Sequence, residues 1–289
     1  MNNAKTILIT GASSGFGRDT AETLAKAGHQ VYASMRNIEG RHSAVASELK
    51  TLGIKVVELD VTDDASVDLA VAAVLKDAGK IDVLINNAGM ASAGVSEAFT
   101  ADQAKVLFNT NVVGVLRATR AVLPAMRAAK DGLIINVGSV LGRVTFPFFG
   151  IYGASKFAVE ALTDSFRLEL SQLGVDVVLV QPSAYPTNMY SAIQQPADTA
   201  VAAAYGDVGA IPGKMFETFM GMFAADNAPN PHDVPVAIAG LIAQAKGSRP
   251  ARTVVGQSFG ADALNAASSP VQQGVVEALG LGHLATLAA

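Results

Sequence analysis

Short, near-continuous apolar runs alternate along the chain with stretches whose apolar positions recur every three or four residues, and this rhythm predicts strand then helix six times over. Lys5 to Thr10 reads as the first strand, bounded by Gly11, and Phe16 to Ala27 as a helix closed by Gly28. Val31 to Met35 is the second strand, followed by a helical stretch around Ala44 to Leu52 and a stop at Gly53. Ile54 to Asp60 is the third. Thr62, Asp63 and Asp64 then offer an N-cap and an acidic first turn for a helix through Ala78 that ends at Gly79. Ile81 to Asn86 is the fourth strand, and Ala101 to Ala129 reads as one long helix that Pro124 should kink or end. Leu133 to Val137, the helix Ile151 to Leu173 and the strand Val175 to Val180 complete the sixfold pattern.

Strands with so few polar positions must be covered on both faces. Strand–helix alternation with right-handed crossovers therefore predicts an α/β, Rossmann-type, doubly wound sheet, mainly parallel, with helices on both faces. A helix over Val234 to Ala245 and a strand over Arg252 to Gly256 bring the sheet to seven strands, in a single domain spanning 1–289. The rhythm breaks after Gln181. From about 183 to 231 the chain holds Pro186, Pro196, Pro212 and Pro229 among pieces rich in Phe and Met, and so long an irregular insert predicts a lid over a ligand crevice. The Ala- and Gly-rich tail from Ala261 gives no pattern.

Composition narrows the class. Half the residues are hydrophobic and 16% are charged, so a large core can form and a disordered chain is excluded. Net charge is −4 with Lys and Arg scattered, which points to small-molecule partners and away from nucleic acid. There is no cysteine, hence no disulfide, thiolate metal site or thiol catalysis. His29, His42, His232 and His283 have no ligand spacing, so no metal is expected. The N-terminus lacks a basic flank and an extended apolar region, and no run reaches the roughly 18 apolar residues of a membrane span. A cytoplasmic protein without membrane attachment is expected.

Two stretches carry chemistry. Thr10-Gly-Ala-Ser-Ser-Gly-Phe-Gly17 lies where the first strand turns into the first helix, and glycines there let the backbone approach a pyrophosphate met by helix N-terminal amides. Tyr152 and Lys156 are four residues apart, so on a helix they share a face with Cβ atoms about 5–6 Å apart. A phenol titrates at about 10, and an ammonium held close would pull it down toward neutrality. Ser139 ends an apolar run, which sets its hydroxyl at the carboxyl end of a strand, where open α/β sheets place their ligands.

Together, T-G-x-x-x-G-x-G at Thr10 to Gly17, Asn86-Asn-Ala-Gly89, Ser139 and Tyr152-x-x-x-Lys156 resemble the short-chain dehydrogenase/reductase family, in its compact single-domain branch, over about Lys5 to Val255. The resemblance implies a nicotinamide dinucleotide held by Gly11, Ser13, Ser14, Gly15, Phe16 and Gly17. It puts Asp60 and Val61 at the adenine and Asn87, Ala88 and Gly89 along the adenosine ribose. It also implies that Tyr152 exchanges a proton with the substrate and that Ser139 holds the carbonyl oxygen. Lys156 would tune Tyr152 and bond the nicotinamide ribose, Asn111 would hold a water that links Lys156 to solvent, and Thr187 would bond the carboxamide. Ser183 stands where the family commonly has glycine, which puts the local backbone path in question. The second strand ends in Met35-Arg36 without Asp or Glu, a pattern that resembles NADP(H) preference, with Ser13 and Arg41 as helpers at the 2′-phosphate.

The expected activity is an NADP(H)-dependent interconversion of a carbonyl and a secondary alcohol on an apolar small molecule. An NAD(H)-linked alcohol dehydrogenase and a nucleotide-sensing protein without turnover are the alternatives. Phe146, Phe148, Phe149, Tyr185, Met189, Met215, Phe216, Phe219, Met220 and Phe223 are candidates for the substrate lining, although such residues also serve as core or oligomer contacts. Family likeness further implies a homodimer or homotetramer through the helices around 101–129 and 151–173.

Overall fold

The seven strands pair in the order β3-β2-β1-β4-β5-β6-β7, and every neighbouring pair is parallel. They are β1 (Thr6–Ile9), β2 (Gln30–Met35), β3 (Lys55–Glu58), β4 (Val83–Asn86), β5 (Gly132–Val137), β6 (Val175–Pro182) and β7 (Arg252–Val255). The structure is a computed structural model that describes residues 4–288. The helices are α1 (Gly15–Lys26), α2 (Ser43–Thr51), α3 (Asp64–Ala78), α4 (Ala101–Phe108), α5 (Gly114–Ala129), α6 (Gly150–Glu169), α7 (Thr199–Ala204), α8 (Ile211–Ala224), α9 (Asp233–Ala243) and α10 (Ala261–Ala278). The strand order reverses between β1 and β4, and the crevice beyond their carboxyl ends is where such sheets bind ligands.

The period of two along each strand divides the core into two layers. Ile7 and Ile9 of β1 face one way and pack with Leu24 of α1 and with Ile238 and Leu241 of α9. Leu8 faces the other way, among Val71 of α3, Val122 and Met126 of α5, and Leu170 behind α6. All of these residues are almost wholly buried or nearly so, each contributing roughly 1.5–3 kcal/mol of hydrophobic stabilisation. Between β4 and β5 the pattern turns polar at one level. Asn86 and Asn136 are register partners, and Asn86 Nδ2 donates to Asn136 Oδ1 at 2.9 Å and to Thr119 Oγ1 of α5 at 3.2 Å. Asn136 Nδ2 donates in turn to Thr163 Oγ1 of α6 at 2.9 Å. This buried, paired ladder fixes the two central strands against the helices that carry the site.

Three features differ from the sequence reading. The stretch from 101 to 129 is not one helix: α4 ends at Phe108, a π-helical turn runs over Asn109–Val113, and α5 follows. Pro124 neither ends nor divides α5; it lies on the exposed face, where the carbonyl freed by its missing N–H can be hydrated. The tail holds an 18-residue helix, α10, with Pro270 inside it. It is anchored by Asn265, which accepts from Arg143 Nε at 2.9 Å and donates to Gln181 at 2.7 Å.

Between β6 and α9 the chain leaves the sheet and carries α7 and α8, neither of which has a fully buried residue. Its two ends meet: the hydroxyl of buried Tyr185 donates to Asp233 Oδ2 at 3.2 Å.

Candidate active site

The glycine loop is shaped by backbone contacts that leave no room for side chains. Gly11 has φ +69°, and a Cβ there would lie 2.7 Å from Ala88 Cα; at Gly17 it would lie 2.4 Å from both Asn87 Nδ2 and Gly11 O. Thr10 Oγ1 accepts from the N–H groups of Asn87 and Ala88 at 3.0 and 3.1 Å, and Asn87 Nδ2 donates to Thr10 O and Gly11 O at 2.9 and 3.0 Å. Asn87 is thus a staple between the ends of β1 and β4. Ser14 caps α1 without any side-chain hydrogen bond, and no acidic residue occupies the helix's first turn. Free hydroxyls, free amides and a macrodipole uncompensated by local acid fit a pyrophosphate. Gly15, at φ +55°, has Thr187 as its nearest neighbour across the loop, 3.8 Å from a Cβ built there.

At the ends of β2 and β3 the chain builds a second polar patch. Arg36 is exposed, and its Nη1 lies 3.6 Å from Asp60 Oδ2. Burial pushes the Asp60 carboxyl up, but the Thr62 N–H, the Thr62 hydroxyl and Arg36 outweigh it and hold the group below its ordinary range. Glu58 is turned to the loop backbone, accepting from the N–H groups of Asn37 and Ile38 at 3.2 and 3.4 Å. Val61 is buried, its carbonyl accepting from Arg117 Nη1 at 2.6 Å.

The third group closes the site. Ser139 leaves β5 and is buried; its Oγ accepts from Leu141 N at 3.1 Å and reaches Pro182 O at 3.5 Å. Tyr152 and Lys156 share the inner face of α6, both buried. Burial pushes the Tyr152 phenol up to about 12, opposed by the Ser139 hydroxyl, and burial pulls the Lys156 ammonium down to about 8. The phenol thus lies above its ordinary value here rather than below it. Lys156 Nζ donates to Val137 O at 3.0 Å and lies over the Tyr152 ring, 5.7 Å from its centroid.

Asn111 sits inside the π-helical turn, a feature frequent at functional sites. Its Nδ2 donates to Met90 O at 2.9 Å and Ser155 Oγ at 3.0 Å, while its Oδ1 accepts from Met90 N at 2.9 Å. With both amide protons engaged, the side chain acts as a brace for the strand end and for α6. Gly89 lies between Asn111 and Lys156, 3.4 Å and 4.0 Å from a Cβ built on it.

Phe16, Asn87, Gly89, Ser139, Tyr152, Lys156 and Thr187 all line one cleft of about 860 Å³, open mouth included, whereas Arg36, Asp60 and Val61 lie outside it along the sheet edge. Ser183 also lines it. Its N–H donates to Val255 O at 2.9 Å, continuing the β6–β7 ladder, and its φ is not positive, so the absent family glycine is not required. Gly256 makes the space instead: a Cβ there would meet the Tyr185 hydroxyl at 2.6 Å and Ser183 Cβ at 3.1 Å. Tyr185 packs edge-on against Phe16 in the main core and also lines the cleft. Sequence reasoning missed Tyr190 and Phe259, which also line the cleft. Phe259 follows β7, and its place just past the carboxyl end of a parallel strand was the available signal. Tyr190 is raised by burial and further by Tyr152, which puts the two phenols within each other's field.

The chain belongs to the short-chain dehydrogenase family, whose profile matches residues 5–198. A curated relative, 3-ketodihydrosphingosine reductase of Bacteroides thetaiotaomicron, is 42% identical over 63% of this chain and 64% of its own. Retinol dehydrogenase 8 of Homo sapiens is 36% identical over 63% and 60%. The chain thus spans a little under two thirds of the length of these relatives. The solved structure of a short-chain dehydrogenase from Streptomyces avermitilis superposes with a TM-score of 0.76 at 30% identity, covering 97% of this chain and 98% of that one. Solved neighbours include complexes with NAD, NADH, NADP and NADPH, so a nicotinamide dinucleotide is the supported cofactor class. Among the described residues no helix is long and apolar enough to cross a membrane.

Proposed function

We propose that this chain is an NADP(H)-dependent oxidoreductase that interconverts a carbonyl and a secondary alcohol on an apolar small molecule. The observation that carries the reading is the convergence of Ser139, Tyr152 and Lys156 on one wall of an apolar cleft beside the glycine loop. The loop from Gly11 to Gly17 would hold the pyrophosphate, Asp60 and Val61 the adenine, Asn87 to Gly89 the adenosine ribose, Lys156 the second ribose, and Thr187 the carboxamide. Bound there, the dinucleotide supplies or accepts a hydride. Ser139 orients the carbonyl oxygen, and Tyr152, protonated at neutral pH, is positioned as the acid that delivers a proton to it in reduction. In the reverse direction the same phenol must lose its proton, and a Lys156 ammonium swung from Val137 O toward it would favour that form. Phe146, Phe149 and Met189 exclude water from the reacting centre.

Preference for the 2′-phosphate is supported by Arg36, half-exposed at the end of β2, with Glu58 turned to the loop backbone and Asp60 held by Thr62. Tyr152→Phe is expected to keep its NADPH affinity and lose about 10³-fold in carbonyl reduction, measured by nucleotide titration and steady-state rates. Retained turnover would overturn the assignment. Arg36→Ala is expected to weaken NADPH about tenfold and leave NADH little changed; an equal loss for both nucleotides would remove the NADP(H) preference.

A further inference from the structure

A second chamber of about 620 Å³, open mouth included, lies under α8. Its roof is one face of that helix, where Pro212, Met215, Phe216 and Phe219 recur at helical spacing, and its floor is Ala93, Phe148 and Phe149. No charged side chain lines it. The chamber adjoins the cleft: Phe149, Tyr190, Ile193 and Phe219 line both and stand between them. The partition consists of aromatic edges, with Phe149 and Phe219 centroids 6.4 Å apart and Tyr190 and Phe219 centroids 6.0 Å apart. Such contacts rest on packing, so the rings can part without breaking a hydrogen bond.

An independent backbone feature marks the same place. Phe148 has φ +68°, a conformation rare for a bulky residue, and its carbonyl is held there by the Gly94 N–H at 2.8 Å. Strain of this kind collects where a site needs a side chain aimed against local preference. Here the segment presents Phe148 to the second chamber and Phe149 to the partition.

We propose that the second chamber is a tail subsite, and that the substrate is a carbonyl compound carrying a long, flexible alkyl or acyl chain. The proposal rests on the carbonyl–alcohol reading of Ser139 and Tyr152: the head sits there, and the tail passes between Tyr190 and Phe219 into the space under α8. A partition of three rings between two chambers suits a slender chain that can bend, and disfavours a rigid fused-ring body. Tyr190 and Phe219 are then the residues that determine specificity for tail length.

Gly213 offers a direct test, because it lines the chamber and a Cβ built on it meets nothing within 4 Å. Gly213→Phe adds a ring at the chamber's lining, and Met215→Trp fills the space from the same helix. With saturating NADP, calorimetric titration of 2-butanone and 2-decanone into the wild type is expected to give affinities that rise about three- to fourfold per methylene buried. Either variant, folded by its thermal midpoint, is expected to bring the ratio of long- to short-chain affinity close to one. A wild-type affinity independent of chain length, or a ratio unchanged in both variants, would overturn the tail subsite. Turnover measured in parallel separates the two readings. Tail-selective binding without reduction of any ketone leaves the subsite standing and removes the carbonyl assignment, while reduction without chain-length dependence does the reverse.

Discussion

The glycine loop and the α7–α8 segment face each other across the cleft and are built by opposite means. The loop is defined by what its backbone touches: Thr10 and Asn87 tie it to β4 through four hydrogen bonds of 2.9–3.1 Å, and Gly11 and Gly17 admit no Cβ. The α7–α8 segment has no fully buried residue, and it is held by scattered contacts such as Tyr205 to Glu97 at 2.6 Å and the Tyr190–Phe219–Phe223 rings. A phosphate is recognised by amides at fixed positions, which demands one backbone path. An apolar group is recognised by surface area, which many side chains can supply.

The contrast can be broken most severely at the loop. Gly17→Ala places a methyl 2.4 Å from Asn87 Nδ2 and Gly11 O, and is expected to abolish measurable nucleotide binding; titration of the purified variant with NADPH checks it. A smaller effect lies between the two regions, at Lys156. Its folded pKa of about 8 lies below its ordinary 10.5, so between these values the unfolded chain binds more protons and stability rises with pH. Urea unfolding at successive pH values should show that rise in the nucleotide-free protein, and Lys156→Met should lack it. The smallest effect is expected in the segment itself. Phe219→Ala should change unfolding free energy by less than about 1 kcal/mol, against roughly 2–5 kcal/mol for Leu84→Ala in the core, by denaturant titration. A large loss at Phe219 would mean that α8 belongs to the cooperative core.

What could be read from the sequence follows the same division. The strands were legible because burial on both faces leaves continuous apolar runs, and the loop because only glycine satisfies its backbone. Tyr152, Lys156 and Ser139 were legible as positions, but their electrostatics were not. Spacing along a helix places Cβ atoms, whereas Val137 O decides where the Lys156 Nζ goes. The π-helical turn at Asn109–Val113 was hidden because Asn111 takes its partners, Met90 and Ser155, from distant parts of the chain. Pro124 misled because its cost depends on exposure, which a single sequence does not print. α10 was hidden because its anchor, Asn265, is a tertiary contact in an otherwise Ala- and Ser-rich stretch. The Asn86–Asn136 ladder likewise needs the register of two strands 50 residues apart.

The hydrogen bond between Tyr185 and Asp233 joins positions 48 residues apart, and within that loop the stretch 194–198 is pinned to Ala91, Ser92, Ala93, Ala98 and Gln103, so that α7 and α8 lie beyond the pinned part. Doubling the length of such a loop adds only about 0.6 kcal/mol of closure entropy. Changes of length within α7 and α8 therefore cost the scaffold little, since neither helix has a fully buried residue. A library built by grafting unrelated segments in place of α7 and α8, with Thr187 kept, would vary substrate choice while inheriting an unchanged sheet and nucleotide loop.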